Sequence, residues 1–243
     1  MVVTGITEHL GEIRARMARA TAAAGARGLP AGPVTLVGVT KGHPAAIVAP
    51  ALGAGLTHFG ENYLQEALPK IRSAGDEPVW HFIGRIQSNK TGDIARHFSW
   101  AQTVTAARIA ERLSAQRHHH GEALQVCIQV EPSVMPPGGV APARGGCPPG
   151  AVAGLAAVIA GLPRLRLRGL MLIPHAGLDA GALRMEYQAA RQLLAGLNAA
   201  GHALDTLSMG MSDDFELAIE EGSTMIRLGT ALFGQRPVKA TSP

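Results

Sequence analysis

Lysine is scarce in this chain: Lys41, Lys70, Lys90 and Lys239 stand beside eighteen arginines. Lys41 directly follows the apolar run VTLVGVT (34–40), which puts an amine at the end of a buried strand. Loss of hydration there lowers an amine's pKa, and a neutral lysine is a Schiff-base nucleophile. The same position also suits a lysine that is ion-paired or reaches solvent. Two later segments, SMGMSDDFE (208–216) and RLGTALFG (227–234), combine small residues and hydroxyls with helix starts. Ser208, Gly210, Ser212, Gly229 and Thr230 would leave backbone N–H groups open to an anion such as phosphate, although glycines that merely cap strands look alike. Asp213 and Asp214 suit the first turn of a helix better than a phosphate, whose charge they repel. Arg227 precedes Gly229 by two residues, so on a strand the two share one face. A guanidinium there can pair with an interior carboxylate, or keep a bound aromatic nitrogen unprotonated.

The elements that must position these residues recur along the chain. Short apolar runs appear at VTLVGVT (34–40), THFG (57–60), VWHFIG (79–84), SWAQTV (99–104), LQVCIQV (124–130), LRGLMLI (167–173), LDTLSM (204–209) and TMIRLG (224–229). Several are apolar on both faces, as parallel strands covered on both sides are. Helical stretches lie between them at 45–54, 61–73, 87–97, 106–119, 151–160, 182–199 and 213–221. An amphipathic helix occupies the first 25 residues, with Ile6, Leu10, Ile13 and Met17 at helical spacing. Eight strands alternating with helices fit a (β/α)8 barrel or a doubly wound sheet. No GxGxxG follows the first strand, which favours the barrel. The expectation is an α/β fold: a single (β/α)8 TIM-type barrel with an extra N-terminal helix, one domain over 1–243. In such a barrel the strand C-termini converge on one mouth, and the loops after strands seven and eight hold phosphate. Lys41, Glu61, Asn62 and Gly84 then stand on one side of the mouth, with Ser208, Gly210, Ser212, Gly229 and Thr230 on the other. The segment 131–150 breaks the rhythm: eleven of its twenty residues are Pro or Gly, so it reads as a long loop, either a lid or an inert insertion.

Composition narrows the function classes. Of the 243 residues 47% are hydrophobic and 16% charged, which excludes a disordered chain. A formal charge of only +4, with 4% aromatics and no Lys/Arg block, speaks against a nucleic-acid surface. Two cysteines make neither a disulfide framework nor a metal quartet; Cys127 reads as buried, and Cys147, in the Pro/Gly loop, as open to exposure. No secretory leader and no apolar run of membrane-spanning length is apparent, so the expectation is a cytoplasmic protein and a monomer. His118, His119 and His120 lack a carboxylate or cysteine at ligand spacing, so no metal site is expected.

A lysine imine opposite a phosphate cradle, with a cation between them, outlines a pyridoxal 5'-phosphate (PLP) site. The segments VGVTKGHP, HFGENYLQE, WHFIGRIQSNK and LSMGMSDDFELAIEEGSTMIRLGTALFG together resemble the PLP-homeostasis (PLP-binding) barrel family, which is related to the N-terminal domain of alanine racemases. The resemblance runs from about Leu36 to Gly234. It implies that Lys41 forms the Schiff base with PLP, that Asn62 lines the cofactor, and that Ser208, Gly229 and Thr230 bind phosphate. It further implies that Arg227 faces the pyridine nitrogen, that Met209 packs near the ring, and that His81 and Lys90 lie near the pocket. Two departures stand out: His43 replaces a second lysine common in the family, and the Pro/Gly-rich segment replaces a Ser-Lys-x-Gly stretch. The function implied is a non-catalytic carrier that holds PLP and delivers it, with PLP-requiring apoenzymes as partners. The alternative is a PLP-dependent amino-acid racemase, which needs acid/base groups on both ring faces. Only Tyr63 and Tyr187 are present as tyrosines, and nine residues follow Gly234, so the expectation is a carrier. A cofactor-free Schiff-base aldolase is a third reading.

Overall fold

Each of the eight apolar runs holds all or most of one strand of a closed parallel barrel. The structure, a computed structural model, describes residues 2–29, 32–134 and 145–235. The strands are β1 (Thr35–Val39), β2 (His58–Glu61), β3 (Val79–Phe82), β4 (Trp100–Val104), β5 (Leu124–Val130), β6 (Leu165–Leu172), β7 (Thr206–Ser208) and β8 (Met225–Leu228). They pair in sequence order, and β8 closes on β1 with Val37 opposite Arg227. Around them run α1 (Val2–Ala26), α2 (Val48–Gly53), α3 (Leu64–Ala74), α4 (Thr91–His97), α5 (Ala107–Gln116), α6 (Val152–Ala160), α7 (Ala180–Ala199), α8 (Phe215–Glu220) and α9 (Thr230–Phe233). The helix expected from residue 61 starts later, at Leu64, because Glu61 is the last residue of β2. Strand β6 starts earlier than its apolar run because Leu165 pairs with Leu124.

The pleat sorts side chains into two layers. Phe59, Trp80, Phe82, Ala101, Val126, Ile128, Leu170, Leu207, Ile226 and Leu228 point outward and join the helices in the main core. Val37, Trp100, Cys127, Met171 and Met225 point inward and form a small apolar plug. The remaining interior is polar and buried: His81, Gln102, Gln129, Ser208 and Arg227. Helix α1 packs on α8, α9 and α2. Its Ile6, Leu10 and Ile13 are at most 3% exposed, each worth roughly 1.5–3 kcal/mol of burial. Arg16 grips Glu216 with two hydrogen bonds (3.0 and 2.7 Å) on the same face.

Of the Pro/Gly-rich segment, residues 135–144 lie outside the described residues. Its flanks are anchored: the Ser133 and Val134 N–H groups donate to the Glu186 carboxylate at 2.6–3.1 Å. Cys147 bridges to Val130 and is buried, contrary to the exposure its loop composition suggested, because this bridge tucks it against the barrel end. Among the described residues no helix is long and apolar enough to cross a membrane.

Candidate functional site at the barrel mouth

Lys41 is half-buried, one residue beyond the buried Thr40 that follows β1. A buried ion pair fixes this stretch. Lys70 Nζ donates to the Thr40 carbonyl (2.6 Å) and to Glu61 Oε1 (2.5 Å), and Thr40 Oγ1 donates to the same carboxylate oxygen (2.5 Å). The two side chains are 3% and 0% exposed. Burial pushes the Glu61 carboxyl up, while hydrogen bonds from Lys70 and Thr40 pull it back down. On the far side of Lys41, the Gly42 N–H donates to Glu66 Oε2 (2.7 Å). Lys70 was not singled out from the sequence, although one signal was available. Leu64, Ala67 and Lys70 recur at intervals of three on the buried face of α3, so this lysine had to bury its charge against a partner.

Asn62 follows β2 and is half-buried, and its Oδ1 is buried with no hydrogen-bond partner among the described residues, an acceptor left for a ligand. Gly84, after β3, permits this placement. A Cβ on Gly84 would stand 2.1 Å from the Asn62 carbonyl oxygen. Across the mouth, Gly210 adopts φ +98°, and a Cβ there would meet Ala218 Cβ at 2.7 Å, so the loop after β7 lies tight on α8. Asp214 Oδ1 accepts the Met211 N–H (2.5 Å), which commits that carboxylate to the loop. Ser212 Oγ then accepts the Ala231 N–H (3.3 Å), bringing a hydroxyl to the start of α9, beside the half-buried Gly229 and the exposed Thr230.

The structure separates Ser208 from that rim. Its hydroxyl lies inside the barrel, accepting from Arg227 Nη1 (2.7 Å) and donating to Gln102 Oε1 (2.6 Å). Ser212, which shares its segment, supplies the rim hydroxyl. Arg227 faces inward, 4% exposed, with Nη2 donating to the Leu172 carbonyl (3.0 Å). Among the described residues it makes no ion pair, so the carboxylate-paired reading does not hold. Burial lowers its guanidinium to about 10, partly offset by Tyr187, Asp214 and Cys127, which leaves it charged at neutral pH. His81 is fully buried between His58 and Gln102, and burial holds its imidazole neutral well below the ordinary range. Met209 alternates with the inward Ser208 and packs in the main core between barrel and helices. Lys90 closes the 3₁₀ turn Ser88–Lys90 before α4 and takes no part in the hydrogen bonds that build the rim.

The mouth thus offers a half-buried amine, an unpartnered amide oxygen, a cation outside any carboxylate pair, and a rim of hydroxyls and N–H groups. That donor set fits a phosphorylated aromatic aldehyde. Fold and site define a barrel of the racemase type, and the family model described as alanine racemase, N-terminal domain, matches residues 9–237. The chain is 48% identical over 232 residues to the pyridoxal phosphate homeostasis protein of Pseudomonas aeruginosa, covering 95% of this chain and 96% of that protein. It is 42% identical over 238 residues to the protein of that name from Escherichia coli, covering 95% and 97%. PipY of Synechococcus elongatus, solved with PLP bound, superposes with a TM-score of 0.80 at 35% identity, covering 94% of this chain and all of that one. Alanine racemase from Corynebacterium glutamicum shares the fold (TM-score 0.71, 17% identity), and the chain spans 64% of its length. The chain belongs to the pyridoxal phosphate homeostasis protein family.

Proposed function

We propose that the chain binds PLP covalently through Lys41 and serves PLP homeostasis, holding the cofactor and releasing it to apoenzymes. The observation that carries this reading is the single mouth. Lys41, two residues past the end of β1, shares the strand C-terminal end of the barrel with the Ser212–Gly229–Thr230 rim, and the buried cation of Arg227 reaches the strand ends. The names of the relatives and the PLP in PipY support it. In this reading Gly229, Thr230 and Ser212 grip the phosphate, Asn62 accepts from a ring substituent, and Ser208 serves by holding Arg227. PLP itself supplies an aldehyde that condenses with amines and a ring that withdraws electrons. Arg227, a cation up to about pH 10, keeps the pyridine nitrogen unprotonated and so blunts that withdrawal. Racemisation needs a second acid/base group, and Tyr187 is a poor one, since burial raises its phenol far above neutrality. The carrier works as one cytoplasmic domain and as a monomer.

Borohydride reduction followed by peptide mapping tests the site. The expected product is a phosphopyridoxyl adduct on Lys41 that Lys41→Ala lacks, and an adduct mapping to Lys90 would overturn the assignment. Incubating the holoprotein with D- and L-amino acids in deuterated water separates carrier from racemase, because a carrier leaves the α-hydrogen in place.

A further inference from the structure

Five side chains link the mouth to the opposite face of the barrel. Arg227 Nη1 meets Ser208 Oγ at 2.7 Å, and Ser208 Oγ meets Gln102 Oε1 at 2.6 Å. Gln102 Nε2 meets His81 Nδ1 at 2.8 Å, and His81 Nε2 meets His58 Nδ1 at 2.9 Å. Ser208, Gln102 and His81 are 0% exposed, so water does not complete their bonding. His58 is half-buried and lines a cavity of about 680 Å³ at the strand N-termini, together with Trp100, Arg166 and Arg168.

The chemistry of one end sets the direction of every bond. Arginine has no acceptor, so Arg227 must donate to Ser208. The Ser208 proton then has one buried acceptor within reach, Gln102 Oε1. That orients the amide, with its nitrogen toward His81 and its second hydrogen toward Met225 Sδ (3.1 Å). His81 Nδ1 must therefore accept, which leaves the proton on Nε2, donated to His58. Trp100, stacked on the His81 ring at 5.2 Å and 17°, holds it in plane for both contacts. All donors point from Arg227 toward His58, and reversing one link leaves a buried polar atom unpaired.

We propose that Gln102 and His81 are positioning residues for Arg227: as a one-way donor chain they fix the Ser208 lone pair that aims the guanidinium at the bound ligand. The inference rests on the PLP reading for the identity of that ligand, while its first test does not. In the cofactor-free protein, nitrogen NMR of the histidines should show His81 as the neutral Nε2–H tautomer at neutral pH. The Nδ1–H tautomer or an imidazolium would overturn the proposal. In Gln102→Glu, of nearly the same shape but an acceptor on both oxygens, His81 should switch to carry a proton on Nδ1. PLP titrated into Gln102→Leu, which removes the acceptor of the Ser208 proton, should bind about tenfold more weakly, the loss expected for one misaligned charge-assisted hydrogen bond. The pH profile of the bound-cofactor absorbance should shift as well. An unchanged affinity and profile in Gln102→Leu would refute the positioning role. Failure of the unmutated protein to bind PLP would refute the cofactor reading and leave the tautomer result standing.

Discussion

Replacing Lys70 by methionine should destabilise the barrel far more than an ordinary lysine substitution, and the structure sets the scale. Lys70 contributes no surface charge: its ammonium is enclosed by the Thr40 carbonyl and Glu61 Oε1. Without it, Glu61 stays 0% exposed with one oxygen already unpartnered and the other held only by Thr40. Removing one member of a buried pair costs about 3–5 kcal/mol, against about 0–1 for an exposed pair. With a urea slope of about 3 kcal/mol per M the unfolding midpoint should fall by about 1–2 M. Trp80 and Trp100, both buried, report the transition by fluorescence. The double variant Glu61→Gln with Lys70→Met should recover most of the loss, because the uncompensated charge is gone. It should still bind PLP more weakly than the parent, since the Thr40 carbonyl that precedes Lys41 has lost its ammonium. A loss below about 1 kcal/mol in Lys70→Met, or a double variant no better than the single one, would refute the reasoning.

Two further outcomes follow from the same contacts. Burial lowers the folded-state pKa of both His58 and His81 below the ordinary 6.5, so below that value the unfolded chain binds protons that the folded one refuses. Stability should therefore be complete above pH 6.5 and fall as pH drops, by about 1.4 kcal/mol per pH unit for His81 alone. Glu61, shifted upward, opposes this nearer its own titration. Urea midpoints that stay flat from pH 7.5 to 5.5, or a slope unchanged in His81→Asn, would contradict that assignment. Gly84→Ala forces a methyl against the Asn62 carbonyl and should cost about 1–3 kcal/mol while weakening PLP binding, seen by fluorescence titration.

Strand order and the mouth were legible in the sequence because both follow from period and position. Apolar runs of four to eight residues mark strands, and in a barrel whatever follows a strand reaches the rim. Lys41, Asn62, Gly229 and Thr230 lie just past strand ends for that reason. Ser208 and Met209 sit back from the rim, for a reason of geometry. They share a segment with Ser212, but the pleat turns Ser208 into the interior and Met209 out to the helices, and only the loop beyond Gly210 reaches α9. Pairings across the barrel were not legible at all. Gln102 and Ser208 stand 106 positions apart with no local trace of their hydrogen bond, and alternation says only that each faces inward.

The two buried cations are satisfied in different ways. Lys70 has Glu61, so its charge is spent within the fold and stabilises the strand ends beside Lys41. Arg227 is as deeply placed, yet it meets only a hydroxyl and a carbonyl. A guanidinium desolvated without a carboxylate is a net burden on folding, tolerable when neutral acceptors orient it and a ligand acceptor completes it. Occupancy should therefore return stability, growing as RT ln(1 + [L]/Kd) and reaching about 2.7 kcal/mol at a hundredfold excess over Kd. A carboxylate partner at this point would change the chemistry of a bound PLP. A neutralised arginine would let the pyridine nitrogen take up a proton and strengthen the electron sink, favouring turnover of amino acids over quiet retention of the cofactor.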